Sequence, residues 1–408
     1  MSWGWVGHKI AWTLRGYKRP GCIPSMRTVY LDNNATTAVA PAVFEAMRPF
    51  YTEHFGNPSS GHHLGDKPAE AVRNARARLA GFLGCLETEI IFTSCGTEAD
   101  NLAIRGIVDA DRNRRHIITT LVEHSAVLNP IKRMESQGFR VTYLTVDRAG
   151  RVDIDALRRA VSDETALISV MFANNETGVM HPIHEIAGIA HEHGVPLHVD
   201  AVQGVGKVPF KMSDVGADLV SVSAHKFHGP KGVGALVVKK GTRWTPMLLG
   251  GSQERGRRPG TENVAGIAAM AAACDYAESH LERYVTDVRR LRDQLEHELA
   301  RSIPDVFVNG AGSERIPNTS NMGFPGLDAH ALLVRLDEVG ICASAGSACH
   351  SGAFEPSHVL SAMGLTPEEA ASCIRFSLSA MTTDEDIAYC TEEIPRIVHH
   401  LRRNFISA

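Results

Sequence analysis

Two short runs decide how this chain folds: Leu197-His198-Val199-Asp200, and Leu219-Val220-Ser221-Val222-Ser223 leading into Ala224-His225-Lys226. Each is a mostly apolar, β-branched stretch of strand character that stops at residues able to do chemistry. Working outward, runs of the same kind stand at Glu89–Thr93, His116–Thr119, Ala166–Met171 and Gly234–Val238. Ala/Arg-rich helical stretches separate them from Asp66 to Asn263. Such alternation reads as an α/β fold with a mainly parallel sheet covered by helices. Lys67–Leu83 is rich in helix formers and stops at Gly84, and Ile183–His193 stops at Gly194, as helices do.

After Asn263 an Ala/Glu/Arg/Leu-rich region runs to about Arg301 with no proline, and no glycine beyond Gly266. It reads as one long helix or two in succession, leading to a second domain. Shorter signals follow, including Ala329–Glu338 and Asp384–Arg402. The expected organisation is a large α/β domain over 27–262, then a linking helix and a smaller α+β domain over 263–408. The first segment of the large domain is free to contact the small one. Residues 1–26 form an extension with no acidic residue. It lacks both the serine content of a transit peptide and the apolar core of a secretory signal. A targeting role and a misassigned start near Met26 both stay open.

The 408 residues are 44% hydrophobic and 22% charged, with a formal net charge of -4. That balance gives no global field for nucleic acid or an anionic membrane. Arg112-Asn113-Arg114-Arg115 and Arg255-Gly256-Arg257-Arg258 read as solvated turns. No apolar run is long enough to span a membrane. Eight cysteines are scattered without a CxxC pair, which fits free thiols in a reducing, cytoplasmic setting. His191-Glu192-His193 and His62-His63 lack partners at ligand spacing, so no metal is expected.

The strand ends carry the chemistry. Lys226 falls where ligands of open α/β sheets bind, although a solvated loop lysine is the ordinary reading of such a residue. Asp200 ends a neighbouring strand, with Gln203 shortly after. A lysine amine can form a Schiff base with an aldehyde, and a carboxylate can pair with a pyridine nitrogen; together they suit pyridoxal phosphate. Asp200 alone would read equally as a helix cap. In Thr93-Ser94-Cys95-Gly96-Thr97-Glu98 a strand passes through a small-residue turn into a helix starting near Thr97. Its backbone N–H groups and the Thr97 hydroxyl form a phosphate cradle, to which Ser223 and His225 can add donors. His124, after the strand at His116–Thr119, can stack on a ring and exchange protons near neutral pH. Asn175, in Ala173-Asn174-Asn175-Glu176-Thr177-Gly178, can orient a phenolic oxygen without adding charge.

One further segment, Ser344-Ala345-Gly346-Ser347-Ala348-Cys349-His350-Ser351-Gly352, sets a single thiol among small residues. Structural cysteines sit on apolar faces, and this one does not. It reads as an accessible functional thiol on a loop. Cys342 follows apolar Ile341 and reads as core.

Together these segments resemble the cysteine desulfurases, the NifS/IscS-like branch of the class V aminotransferases and part of fold type I of pyridoxal enzymes. The likeness runs from about Val29 to Arg402. It includes Tyr30-Leu31-Asp32-Asn33-Asn34-Ala35-Thr36-Thr37, Phe55-Gly56-Asn57-Pro58-Ser59-Ser60, Gly251-Ser252-Gln253-Glu254-Arg255-Gly256-Arg257-Arg258-Pro259-Gly260-Thr261 and Arg375-Phe376-Ser377-Leu378.

The resemblance implies a seven-stranded, mainly parallel sheet flanked by helices. It implies pyridoxal 5'-phosphate on Lys226, with Asp200 at the pyridine nitrogen and His124 on the ring. Asn175 and Gln203 flank the ring oxygen. Gly96, Thr97, Ser223 and His225 hold the phosphate, and Thr261 reaches the phosphate of a neighbouring subunit in a homodimer. L-cysteine is the implied substrate, its carboxylate clamped by Arg375, with Asn33 or Asn34 and Asn175 also in reach. Lys226 moves the Cα proton, His124 assists, and Cys349 takes the sulfur as a persulfide while alanine leaves. The sulfur then passes to an acceptor protein; an iron–sulfur scaffold is one such partner, with Cys349 helping to ligate its cluster transiently. The chain departs from the pattern at His350, where many desulfurases have threonine, and at Cys95, a position often held by glycine. Ala-Cys-His-Ser also resembles selenocysteine lyases, so that substrate stays open, as do other class V aminotransferases or β-lyases.

Overall fold

The structure is a computed structural model that describes residues 27–345 and 356–406. The extension 1–26, Cys22, Cys349 and His350 lie outside the described residues.

Seven strands form the central sheet: β1 Ile90–Thr93, β2 His116–Thr120, β3 Arg140–Leu144, β4 Thr165–Met171, β5 Leu197–Asp200, β6 Leu219–Ser223 and β7 Gly234–Val238. Their spatial order is β1-β7-β6-β5-β4-β2-β3. All neighbours are parallel except those of β7, which runs antiparallel to both β1 and β6. Helices cover both faces, so β4, β5 and β6 are buried along their whole length and carry nearly continuous apolar runs. The α/β class expected from the sequence is the one observed. β3 matches none of the strand-like runs in the sequence. It is an edge strand whose Arg140–Tyr143 are exposed or half-buried, and it shows no sustained apolar run.

The helix signals fall where the sequence put them. His63–Leu83 ends on Gly84, whose φ of 69° suits a residue without Cβ. The region after Asn263 is a single path of helix. Val264–Arg283 passes through a π-turn at Tyr284–Val288 into Arg289–Ser302.

A second, antiparallel sheet pairs Cys373–Ser377 with Thr319–Gly323, and the latter with Phe307–Val308. Asp384–Ile406 and Arg289–Ser302 pack beside it around a separate core that includes Leu295, Phe324 and Phe376. Val29 and Leu31 join that core, and Val29–Tyr30 pairs in parallel with Ile341–Cys342. Conversely Val359, Leu360 and Cys373 pack with the main core. The two cores therefore exchange chain, and the site lies where they meet. Among the described residues, no helix is long and apolar enough to cross a membrane.

Candidate active site

The six parallel strands end at one edge of the sheet, and a cavity of about 990 Å³ opens there. The turn after β1 contributes Gly96 and Thr97; the turn after β2, His124; the turn after β4, Asn175. The ends of β5 and β6 contribute Asp200, Gln203, Ser223, His225 and Lys226. Arg375 enters from the second sheet, and Asn34 from the turn after Asp32.

Two expected residues fall elsewhere, and a third lies outside the described residues. The Asn33 amide is buried and donates to the carbonyls of Tyr30 (3.1 Å) and Ser377 (2.9 Å), away from the cavity. Thr261 lines a separate cavity of about 160 Å³ with Arg258 and Glu262. Cys349 lies outside the described residues, but Ala345 and Pro356, the described residues on either side of it, both line the large cavity.

Lys226 ends a short 3-10 turn and donates from Nζ to the carbonyls of Asn34 (2.6 Å) and Ala35 (2.8 Å). Burial, seconded by the Arg375 charge, lowers its pKa to about 8 against the pull of Asp200 and Asp32. A fraction of the amine is thus nucleophilic near neutral pH. Asp200 is buried, and its Oδ1 accepts from the Val202 N–H at 3.0 Å. Burial raises its pKa, while that N–H, His124 and Lys226 act to keep it ionised. Asp100 is buried nearby, its Oδ1 3.5 Å from Nε2 of His198, a ring that burial keeps neutral by lowering its pKa to about 3. Burial and the Asp200 charge push Asp100 well above the carboxylate range, so it is the one of the pair that keeps its proton.

The corner between β1 and β6 is polar and bare. Ser223 Oγ is buried with no hydrogen-bond partner. Gly96 begins the helix Gly96–Ala110, and a Cβ there would come within 2.9 Å of Val202 Cγ2. Glu98, the nearby acid, is drawn aside: it accepts from the Ser94 N–H (2.7 Å) and from Arg258 Nε (2.8 Å). Free N–H groups, an unpartnered hydroxyl and a close backbone approach fit a phosphate group. With Asp200 and Lys226 across the cavity, the residues fit the phosphorylated pyridine aldehyde expected from the sequence.

His124 caps the helix Ser125–Glu135. Its Nδ1 accepts from the Ala126 N–H at 3.1 Å, so the neutral ring carries its proton on Nε2. The Arg375 guanidinium is buried, donating to Asp32 Oδ1 (2.7 Å) and to the Asn175 carbonyl (3.1 Å).

Sequence reasoning missed three groups. Asp32, the ion-pair partner of Arg375, stands in a quoted motif, but nothing local marks it as that partner. Glu123 precedes His124 and is buried. Its carboxyl accepts from Thr120 Oγ1 (2.7 Å) and the Met171 N–H (2.9 Å), and burial pushes it up to about 8. Lys207 follows a Gly-rich turn and reads as solvated, yet its side chain is fully buried. Its amine donates to Gln203 Oε1 (2.6 Å) and Asn34 Oδ1 (3.2 Å). Among the described residues no group of side chains is arranged to hold a metal.

Residues 29–390 match the class-V aminotransferase family. A cysteine desulfurase of Trichormus azollae is 51% identical over 377 residues, covering 92% of this chain and 94% of its own. A solved structure named NifS-like protein superposes with a TM-score of 0.86 at 37% identity, covering 92% of this chain and 100% of its own. A solved structure of SspA in complex with cysteine gives a TM-score of 0.76 at 34% identity, covering 87% of this chain and 100% of its own.

Proposed function

The chain belongs to the class-V aminotransferase family, and on that premise we propose a pyridoxal-phosphate enzyme that takes sulfur from L-cysteine and leaves L-alanine. One observation carries this reading: the Lys226 amine, the buried Asp200 carboxylate and the bare Ser223 hydroxyl converge in one cavity that Arg375 also enters. The curated relatives are cysteine desulfurases, and the SspA structure holds cysteine, which favours that substrate.

In this reading Gly96, Thr97, Ser223 and His225 would hold the phosphate, Asp200 would pair with the pyridine nitrogen, and His124 would serve the ring. Gln203 and Asn175 would serve the ring oxygen. When bound, the cofactor supplies an aldehyde carbon for Lys226 and then for the substrate amine, and a protonated ring that draws electrons from the substrate Cα. Arg375 holds the substrate carboxylate, exchanging Asp32 for it. Lys226 removes the Cα proton, a task suited to an amine with a pKa of about 8. The Cys349 thiolate then attacks the substrate sulfur. A sulfur–sulfur bond forms, the Cβ–S bond breaks, and its electron pair stays on Cβ, which is protonated to the methyl group of alanine. Ala345 and Pro356 at the cavity support this role by bracketing the Cys349 segment. A thiol on an acceptor protein, such as an iron–sulfur scaffold, collects the sulfur.

Thr261 in its separate cavity fits a homodimer in which it completes the partner's phosphate site. The six described cysteines are all free, which suits a reducing cytoplasm.

The test measures alanine and sulfide from L-cysteine, and selenide from L-selenocysteine, with reductant, for the wild type and Cys349→Ala. Equimolar products are expected from the wild type. The variant should keep the visible absorption of the bound cofactor and lose desulfuration. Undiminished sulfide release by the variant would remove Cys349 from the reaction. Efficient selenide release with little sulfide would reassign the substrate to selenocysteine. A colourless protein after loading with pyridoxal phosphate would overturn the reading as a whole.

A further inference from the structure

Lys207 presents a physical puzzle. Its side chain is completely buried, although it has no carboxylate partner among the described residues, and burying an amine without one is costly. It does not line the cavity itself. Both of its contacts are amide oxygens, and both amides belong to the site: Gln203 Oε1 at 2.6 Å and Asn34 Oδ1 at 3.2 Å.

An amide side chain has two faces of nearly equal shape and opposite polarity, one accepting and one donating. Nothing in the shape of a glutamine decides which face turns inward. Here the amine decides it. Because Lys207 donates to Oε1, the Gln203 Nε2 must point the other way, where it donates to the Asn34 carbonyl at 3.0 Å. That same carbonyl accepts from Lys226 Nζ at 2.6 Å. Turned around, Gln203 would set its oxygen against the Asn34 carbonyl and its NH2 against the Lys207 donors. Asn34 is held in the same sense. Its Oδ1 accepts from Lys207 and from Asn318 Nδ2 (3.1 Å), and its Nδ2 donates to the Asn175 carbonyl (3.1 Å) and Thr319 Oγ1 (2.8 Å). Burial, together with the nearby Lys226 and Arg375 charges, holds the Lys207 amine well below its ordinary pKa. Two N–H bonds suffice for this task, so no charge is required.

We propose that Lys207 is a positioning residue that fixes the polarity of the Gln203 amide, so that the ring oxygen of the bound cofactor meets an N–H and never a carbonyl. The inference rests on the pyridoxal reading above, which puts Gln203 beside that oxygen. A donor at the ring oxygen favours its deprotonated form and lowers the pH at which the visible band of the Lys226-bound cofactor titrates. Lys207→Met keeps an apolar chain of similar length in the slot and removes the donor.

The experiment titrates the visible band of the holoenzyme for the wild type, Lys207→Met, Gln203→Met and the double variant. Both single variants should titrate about one pH unit higher, the size of a lost hydrogen bond to a charged oxygen. The double variant should move no further than Gln203→Met alone, since Lys207 acts through Gln203. Should Lys207→Met fail to fold, Lys207→Leu, an apolar side chain that likewise carries no donor, takes its place with the same rise expected. A purely structural Lys207 would lower the melting temperature and leave the band's titration where it was. A raised value for Gln203→Met with a wild-type value for the Lys207 variant would therefore overturn this inference alone. An unchanged Gln203→Met would remove Gln203 from the ring oxygen and the inference with it, and a wild type without a visible band would sink the pyridoxal reading first.

Discussion

On one side of Lys226, the buried Asn34 spends its whole side chain inside the protein, bonded to Asn175, Thr319, Lys207 and Asn318. On the other side, Ser223 Oγ is buried with no hydrogen-bond partner. Buried polar atoms are nearly always paired, and one left bare forfeits about 1–3 kcal/mol. The contrast separates two jobs that sequence motifs lump together as cofactor binding. The satisfied side is a rigid frame, built before any ligand arrives. On the proposed function, the bare side is a receptor whose hydrogen bonds are completed by the cofactor.

The sharpest way to break this distinction is to truncate one residue on each side and measure apoprotein stability beside cofactor affinity. Asn34→Ala strips Lys207 and Asn318 of a buried acceptor and should destabilise the apoprotein by about 3 kcal/mol or more in denaturant unfolding. Ser223→Ala should raise apoprotein stability by about 1 kcal/mol, because the lost hydroxyl was buried with nothing to bond. It should nevertheless weaken cofactor binding about tenfold by equilibrium dialysis. The opposite pattern, with Ser223→Ala unfolding the protein and Asn34→Ala harmless, would undo the division between frame and receptor.

Arg375 stands between the two cases. Its guanidinium is buried and already paired with Asp32, so a substrate carboxylate has to exchange partners there. Asp32→Asn weakens the resident competitor, and steady-state kinetics should show a KM for cysteine a few-fold lower. A raised KM would mean that Asp32 orients the arginine rather than competing for it.

Glu123 tests the frame through pH rather than by truncation. Burial raises its carboxyl to about 8, so between the ordinary carboxylate range and pH 8 the folded chain holds a proton that the unfolded chain has released. Stability therefore falls as pH rises through that window and levels off above it. Glu123→Gln removes this titration. Its apoprotein melting temperature should drop less between pH 5 and pH 8 than that of the wild type, by about 3 °C. Equal slopes would mean that Glu123 is ionised in its pocket.

These residues also show how far the sequence could be read. Lys226 and Asp200 were legible because each ends an apolar run, and strand ends of a parallel sheet share one edge. Gly96 was legible from a strand, turn and helix in immediate succession. Nothing local could pair Asp32 with Arg375, since their contact joins the beginning of the described chain to the second sheet. Asn33 and Asn34 look equivalent as letters. Only the fold ties one amide to the carbonyls of Tyr30 and Ser377 and the other to Lys207, Asn318, Thr319 and Asn175 beside the cavity. β3 was missed because a half-exposed edge strand carries no continuous apolar signal. Lys207 was invisible because burial depends on what packs around a turn, and a lysine after glycines reads as solvated.

That last residue sets the decisive measurement, because two buried or half-buried lysines lie within reach of the Asn34 turn and one of them is assigned to carry the cofactor. The holoenzyme is reduced with borohydride, digested, and its lysine peptides are weighed by mass spectrometry. A pyridoxyl-phosphate adduct is expected on Lys226, with Lys207 unmodified. An adduct on Lys207 or any other lysine, or no adduct at all, would overturn the assignment of Lys226.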